Sequence, residues 1–175
     1  MNPACAAALG PALKHRCWDA MVAQQYITTP TFIAQNMFDD NQINDELLCP
    51  PNVCSTATKS KVGRAFLQDY GRKAVASVRA ALAGHKGWGA FVPGCLQHTD
   101  DMCMTEGPRI GTGGQALNGR SLVNGSRTYA SGHSYGEALG AWFFERGGVN
   151  TTLFDSCSDG LPCNPQCSGF HCQDS

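Results

Sequence analysis

The sequence predicts an α/β fold with a parallel sheet, and three stretches within residues 30–93 indicate it. Residues 30–36, "PTFIAQN", predict a short buried strand, with Pro30 at the first position, where a missing N–H is tolerated. Residues 88–93 form a second apolar stretch. A strand, a helix and a strand in this order predict a right-handed parallel crossover. The helix between them is predicted from an apolar residue at every fourth position, the stripe of a helix lying on a sheet: Val62, Phe66, Tyr70, Ala74, Val78 and Leu82.

The remaining elements follow in chain order. Gly84 and Gly87 end the first helix, and the Gly/Asn/Ser-rich residues 107–132 predict a long loop. A last helix is expected from about Tyr135 to Arg146, with core residues Leu139, Trp142 and Phe143 on it. Residues 157–175 form a cysteine-rich, disulfide-rich tail.

The domain organisation follows from the number of strands. A chain of 175 residues is long enough for one domain with a real core. Two parallel strands, however, do not make a stable open sheet, because parallel sheets need more strands and two covered faces. We therefore expect residues 1–175 to be a single partial domain, whose sheet is completed by an N-terminal half of the same fold or by another chain.

Charge and hydropathy exclude two classes of partner. Thirteen basic and fourteen acidic residues give a formal charge of −1, and no basic cluster stands out. This balance predicts no nucleic-acid partner and no anionic membrane surface. The longest apolar runs, such as residues 141–144, are far too short to span a bilayer.

Cysteines and sequons predict a secreted protein or one in the secretory lumen. The chain has ten cysteines and two N-glycosylation sequons, at Asn124 and Asn150. Its N-terminus does not resemble a signal peptide, because Gly10 and Pro11 interrupt the apolar stretch and the positive charges follow it. Either Met1 is not the biological start, which we favour, or the protein is cytosolic with reduced or metal-bound cysteines.

The cysteine spacing favours disulfides over zinc. The tail cysteines lack the paired C-x2-C spacing of zinc sites, so we predict no metal and no cofactor. Plausible local bridges join Cys5 with Cys17 and Cys49 with Cys54. Cys95 is expected to pair with Cys103 or with the tail, since connectivity cannot be deduced from sequence. The other candidates are Cys157, Cys163, Cys167 and Cys172.

Two polar residues follow the predicted strands, Asp39 after the first and His98 after the second. Parallel strands end at the same sheet edge, so these side chains are expected to lie close together, where α/β folds place their chemistry. An acid followed by a histidine matches the second and third members of the Ser, Asp, His order of α/β-hydrolases. A carboxylate there fixes the imidazole tautomer while His98 moves the nucleophile's proton. Spacing alone leaves open a turn aspartate and a surface histidine.

Four ordered segments give the sequence a family resemblance: "ITTPTFIAQNMFDDNQI", "FVPGCLQH", "EALGAWFFER" and "PCNPQC". In this order they resemble the C-terminal half of the pectin acetylesterase family, which includes the Wnt deacylase Notum. The resemblance implies that Asp39 and His98 are the catalytic acid and base, with Asp40 as the rival acid. It also implies the C-terminal part of an α/β-hydrolase-like fold, with the nucleophilic serine in an N-terminal half.

The function that the resemblance implies is a carboxylic ester hydrolase, a deacetylase or deacylase acting on an O-acylated polysaccharide or an acylated protein. The alternative is an inactive family member, kept as a structural or glycan-binding subunit. The segment "GHSYG" imitates a nucleophile motif, but we interpret Ser134 as a helix cap because Glu137 completes a capping box. His15, His85 and His133 are expected to be exposed.

Overall fold

The structure, a computed structural model, describes residues 1–49, 60–98, 107–111, 132–147, 151–157, 160–164 and 166–167, with the backbone of 121–123 and 126–128. Some predictions lie outside these residues. They concern the sequon asparagines Asn124 and Asn150 and the cysteines Cys54, Cys103 and Cys172. Among the residues that are described, none belongs to a helix long and apolar enough to cross a membrane.

The N-terminal segment is a cluster of short helices, which the sequence patterns did not predict. Asn2 caps the first helix by accepting a hydrogen bond from the Cys5 amide (3.1 Å). Gly10 has φ +70° and kinks this helix just before Pro11. The helices of the segment are α1 (Pro3–Leu13), a 3₁₀ turn (Lys14–Trp18), α2 (Ala20–Ala23) and a second 3₁₀ turn (Gln24–Tyr26).

Three parallel strands form the main sheet: β1 (Phe32–Ala34), β2 (Gly89–Val92) and β5 (Thr152–Phe154). Their order is β1-β2-β5, with Ile33 paired to Ala90 and Phe91 paired to Leu153. The predicted parallel pairing of the first two strands is therefore confirmed. The expectation that all remaining strands come from outside this chain was wrong, because β5 lies within it. The three residues of β5 are too few to show a periodic pattern, so this strand was not predicted.

The crossover between β1 and β2 is the long helix α3 (Lys61–Gly84). Ser60 caps its start by accepting a hydrogen bond from the Gly63 amide (2.9 Å). Val62, placed on the apolar stripe by the sequence, is 66% exposed, so the stripe was wrong at its first turn. The Phe38 ring packs against the helix at Gly71, where a Cβ would lie 2.5 Å from this ring. The buried residues of α3 are Gly63, Leu67, Gly71, Val78 and Ala81.

Both faces of the sheet are covered, as a parallel sheet requires. Successive side chains of β2 point to opposite faces: Ala90 and Val92 join the core against α3, and Phe91 joins the core against the last helix. That helix, α4 (Tyr135–Phe143), buries Ala138 and Ala141. The fold is thus α/β, with β2 fully buried between two helical layers.

The predicted core of α4 was partly wrong. Phe143 is 69% exposed, and Leu139 is only half-buried. Trp142 is also half-buried, and its indole Nε1–H donates to the carbonyl of Gly87 (2.7 Å). The helix packs on the sheet through Ala138 and Ala141, because these small side chains allow its backbone to approach the sheet more closely than large side chains would.

The predicted loop over residues 107–132 contains regular structure, which corrects that prediction. Strands β3 (Ser121–Val123) and β4 (Ser126–Thr128) pair antiparallel. Ile110 also forms an antiparallel bridge with His133, with both N···O distances 3.0 Å. The bridge connects this segment to the residues just before α4.

Candidate active site

Backbone hydrogen bonds continue the pairing of β1 and β2 beyond the strands themselves. The Phe38 amide donates to the Cys95 carbonyl (3.1 Å), and Phe38 forms a parallel bridge with Leu96. The two chain segments therefore leave the sheet side by side. Asp39 directly follows the first segment and His98 closely follows the second, so both arrive at the carboxyl edge of the sheet.

The side chains of Asp39 and His98 are in direct contact. His98 Nδ1 lies 3.0 Å from Asp39 Oδ1 and 3.0 Å from Asp39 Oδ2. The Asp39 side chain is 4% exposed, whereas the His98 side chain is 48% exposed. A buried carboxylate thus orients a half-exposed imidazole, with Asp39, rather than the rival Asp40, as the ring partner.

Further donors surround the Asp39 carboxylate. Gln35 Nε2 donates to Oδ2 (2.9 Å), and the Gln42 amide donates to Oδ1 (3.0 Å). The second contact resembles an N-cap, because helical residues begin at position 40, directly after Asp39, and continue into the π-helical segment Gln42–Glu46. A buried carboxylate is costly unless donors satisfy it, and these contacts meet that requirement.

Tyr70 on α3 extends the network away from His98. Its hydroxyl donates to Gln42 Oε1 (2.8 Å). Burial, together with the nearby Asp39 charge, raises the pKa of Tyr70 far above its ordinary value. Tyr70 therefore remains a neutral donor at ordinary pH and supports the residue whose amide holds Asp39.

Comparison with models of known protein families identifies the family of this chain. The pectinacetylesterase family model matches residues 1–168. The chain belongs to the pectinacetylesterase family. A search of curated proteins found no match to the chain. Membership confirms the resemblance indicated by the four segments, and at the level of the family it indicates a carboxylic ester hydrolase that acts on acetylated substrates.

The cysteine-rich tail holds the loop that carries His98 in this pectinacetylesterase homologue. A disulfide joins Cys95 to Cys167, with a Cα–Cα distance of 5.3 Å. The peptide groups of Gly94 are also held: its amide donates to Asp155 Oδ2 (2.7 Å), and its carbonyl accepts from the Cys163 amide (3.0 Å). The start of the loop is thus fixed by a covalent bond as well as by hydrogen bonds.

The close packing of the tail explains the glycine at position 94. A Cβ there would lie 2.5 Å from the Sγ of Cys157, which forms a disulfide with Cys163. Any larger residue would push the tail away from the end of β2. The tail is therefore part of the structure that supports the site, not an appendage.

Asp155 is a buried acid at this edge that sequence reasoning missed. It directly follows β5 and is 4% exposed, and its Oδ2 also accepts from Asn164 Nδ2 (2.8 Å). Its Oδ1 has no hydrogen-bond partner among the described residues. Burial raises the pKa of Asp155, although the contacts with Gly94 and Asn164 oppose this effect. The available signal was an acid after an apolar stretch, but the strand itself went unrecognised.

Ser134 occupies the helix cap that the sequence predicted. Its Oγ accepts from the Glu137 amide (3.2 Å), and Glu137 Oε2 accepts from the Ser134 amide (2.9 Å). Arg109 donates to the same Glu137 oxygen (2.7 Å). Ser134 is 2% exposed, so its hydroxyl is buried in a structural role.

The other histidines differ in exposure. His15 is exposed, as expected. His85 and His133 are half-buried, which corrects that prediction. His85 stacks on Trp88 with ring centroids 4.0 Å apart, and His133 Nδ1 lies 3.7 Å from Glu137 Oε2. Neither contact involves Asp39 or His98.

The disulfides resolve part of the predicted connectivity. The local bridge Cys5–Cys17 is confirmed, and Cys95 pairs with the tail. Cys49 is also disulfide-bonded. Sulfurs held in bridges are not thiolate ligands, which confirms disulfides over zinc for the tail cysteines Cys157, Cys163 and Cys167.

Proposed function

We propose that this chain supplies the acid and the base of a Ser-His-Asp carboxylic ester hydrolase. The observation that carries the proposal is the contact of His98 Nδ1 with both carboxylate oxygens of Asp39, each at 3.0 Å. In this arrangement Asp39 holds the tautomer with a proton on Nδ1 and stabilises the imidazolium. The Nε2 atom of His98 is then the nitrogen that exchanges protons with the nucleophile.

The reaction proceeds through an acyl-enzyme. His98 takes the proton of a serine hydroxyl as the serine oxygen attacks the ester carbonyl, and it returns that proton to the departing alcohol. Water then attacks the acyl group with His98 again acting as base, which releases the carboxylic acid and restores the serine.

The nucleophilic serine comes from a segment outside these 175 residues. Ser134 is buried in its capping box, which supports this assignment. The described strands leave the outer side of β1 without a partner, since the sheet order is β1-β2-β5. A further parallel strand on that side would end at the same edge as Asp39, as an N-terminal half of the fold or another chain would provide.

The proposed substrate is an O-acylated polysaccharide or an acylated protein, met in the secretory lumen or outside the cell. Family membership supports an acetylated substrate. Three disulfides among the described residues support an oxidising compartment.

The test is acetate release from acetylated pectin by the chain completed with its serine-bearing segment. His98→Ala is expected to reduce kcat by about 10⁶-fold and Asp39→Asn by about 10⁴-fold, because His98 moves the proton itself whereas Asp39 orients and stabilises the imidazole. Ser134→Ala serves as the control and is expected to retain activity. A completed protein without hydrolytic activity would instead favour a structural or glycan-binding subunit, whereas an active His98→Ala variant would refute the assignment of His98 as the base.

A further inference from the structure

We infer that Gln35 and Asn36 are a pair of positioning residues that align Asp39 with His98, an inference that rests on the proposed function. They occupy consecutive positions just after β1. Gln35 forms a hydrogen bond to the carboxylate of Asp39, and Asn36 forms one to the main chain of His98. Neither residue is assigned a part in the chemical steps.

Asn36 acts on His98 through the backbone. Its side chain is fully buried, and its Nδ2 donates to the carbonyl oxygen of His98 across 62 residues of sequence. A buried amide is costly unless it forms hydrogen bonds, so an apolar residue would serve better if only packing mattered. Asn36 thereby fixes the main chain of the same residue whose ring contacts Asp39.

Gln35 acts on the carboxylate. Its side-chain Nε2 donates to Asp39 Oδ2 (2.9 Å) and to the Asn36 carbonyl (3.2 Å). Its backbone amide donates to the carbonyl of Phe91 in β2 (3.2 Å). These contacts restrict rotation of the Asp39 carboxylate about its Cβ–Cγ bond. Both of its oxygens consequently remain within reach of His98 Nδ1.

Two independent supports therefore act on the loop of His98. The tail anchors its beginning through the disulfide of Cys95, and Asn36 anchors the loop at His98 itself. Catalytic groups need alignment to within a fraction of an ångström, which surrounding hydrogen bonds provide. A half-exposed histidine with only its ring contact would lack that alignment.

The experiment measures the Nδ1–H proton resonance of His98 by NMR in the full chain, assigned through its loss in His98→Ala. Asn36→Leu and Gln35→Met retain approximate side-chain size but remove the donors. Each is expected to shift the resonance upfield or broaden it beyond detection. Asn41→Ala is the matched control, because the side-chain amide of Asn41 donates to the exposed carboxylate of Asp45 (3.0 Å). This variant is expected to leave the resonance unchanged.

The NMR readout requires no catalysis, so it separates this inference from the proposed function. Variants that keep the wild-type resonance while folded would overturn the inference even if the completed enzyme is active. A shifted resonance in a completed protein without activity would support the pair and refute the enzyme. Asn36→Ser carries the test if Asn36→Leu does not fold; failure of both to fold would assign Asn36 a structural role and overturn its positioning role.

Discussion

Removal of the Cys95–Cys167 disulfide tests whether the tail holds the loop that carries His98. The two cysteines are 72 residues apart, and the chain-entropy relation gives about 4.4 kcal/mol of stabilisation for a loop of that size at 25 °C. The bridge Cys157–Cys163 lies inside this loop and already restricts the unfolded chain. We therefore expect Cys95→Ala/Cys167→Ala to lower the free energy of unfolding by about 3–4 kcal/mol.

The disulfide Cys5–Cys17 provides the comparison. Its cysteines are 12 residues apart, for which the same relation gives about 2.8 kcal/mol. The Cys5→Ala/Cys17→Ala variant should consequently lose less stability than the variant of the longer loop. Urea unfolding followed by circular dichroism under non-reducing conditions measures both free energies.

The two variants should also differ at the site. Cys95 is fully buried and lies on the loop of His98, whereas Cys17 lies in the N-terminal helical cluster. The Nδ1–H resonance of His98 should be lost or shifted only when the Cys95 bridge is removed. Equal stability losses together with an unchanged resonance would refute the reasoning that the tail supports the site.

Three further predictions concern single residues. Asp155→Asn should remove a pH dependence of the free energy of unfolding. Burial raises the pKa of Asp155 above its ordinary 3.8, so the stability of the wild type should fall relative to the variant as the pH rises from about 3.8 through the raised pKa. A constant difference between their urea midpoints over this pH range would refute it. Gly71→Ala should lower the free energy of unfolding in urea by about 1–3 kcal/mol, because the added Cβ would clash with the Phe38 ring. Gly84→Ala is the control and should change it little, because no atom lies within 4 Å of the added Cβ. Equal losses in the two variants would contradict the packing argument. Ser134→Ala should lower the free energy of unfolding by about 0.5–2 kcal/mol through the lost cap and leave ester hydrolysis of the completed enzyme intact; loss of hydrolysis without loss of stability would contradict it.

The sequence by itself determined the parallel arrangement of β1 and β2 and the edge at which Asp39 and His98 meet. These features depend on local signals, namely apolar stretches, helical periodicity and strand ends, and on the fixed geometry of parallel strands. The cap at Ser134 was equally predictable, because the capping box spans only one turn of helix. The catalytic roles of Asp39 and His98 stay predictions, although their contact is observed.

Only the tertiary structure decided the features that join distant parts of the chain. The partner of Cys95 lies 72 residues away, and the Asn36 contact with His98 spans 62 residues, so no local pattern encodes either one. The buried face of α3 likewise depends on the position of the Phe38 ring against Gly71. The third strand β5 is too short to show periodicity, and its place is set by hydrogen bonds to β2. Local chemistry thus specifies which elements form and where they end, whereas long-range packing and cross-links specify how the site is held.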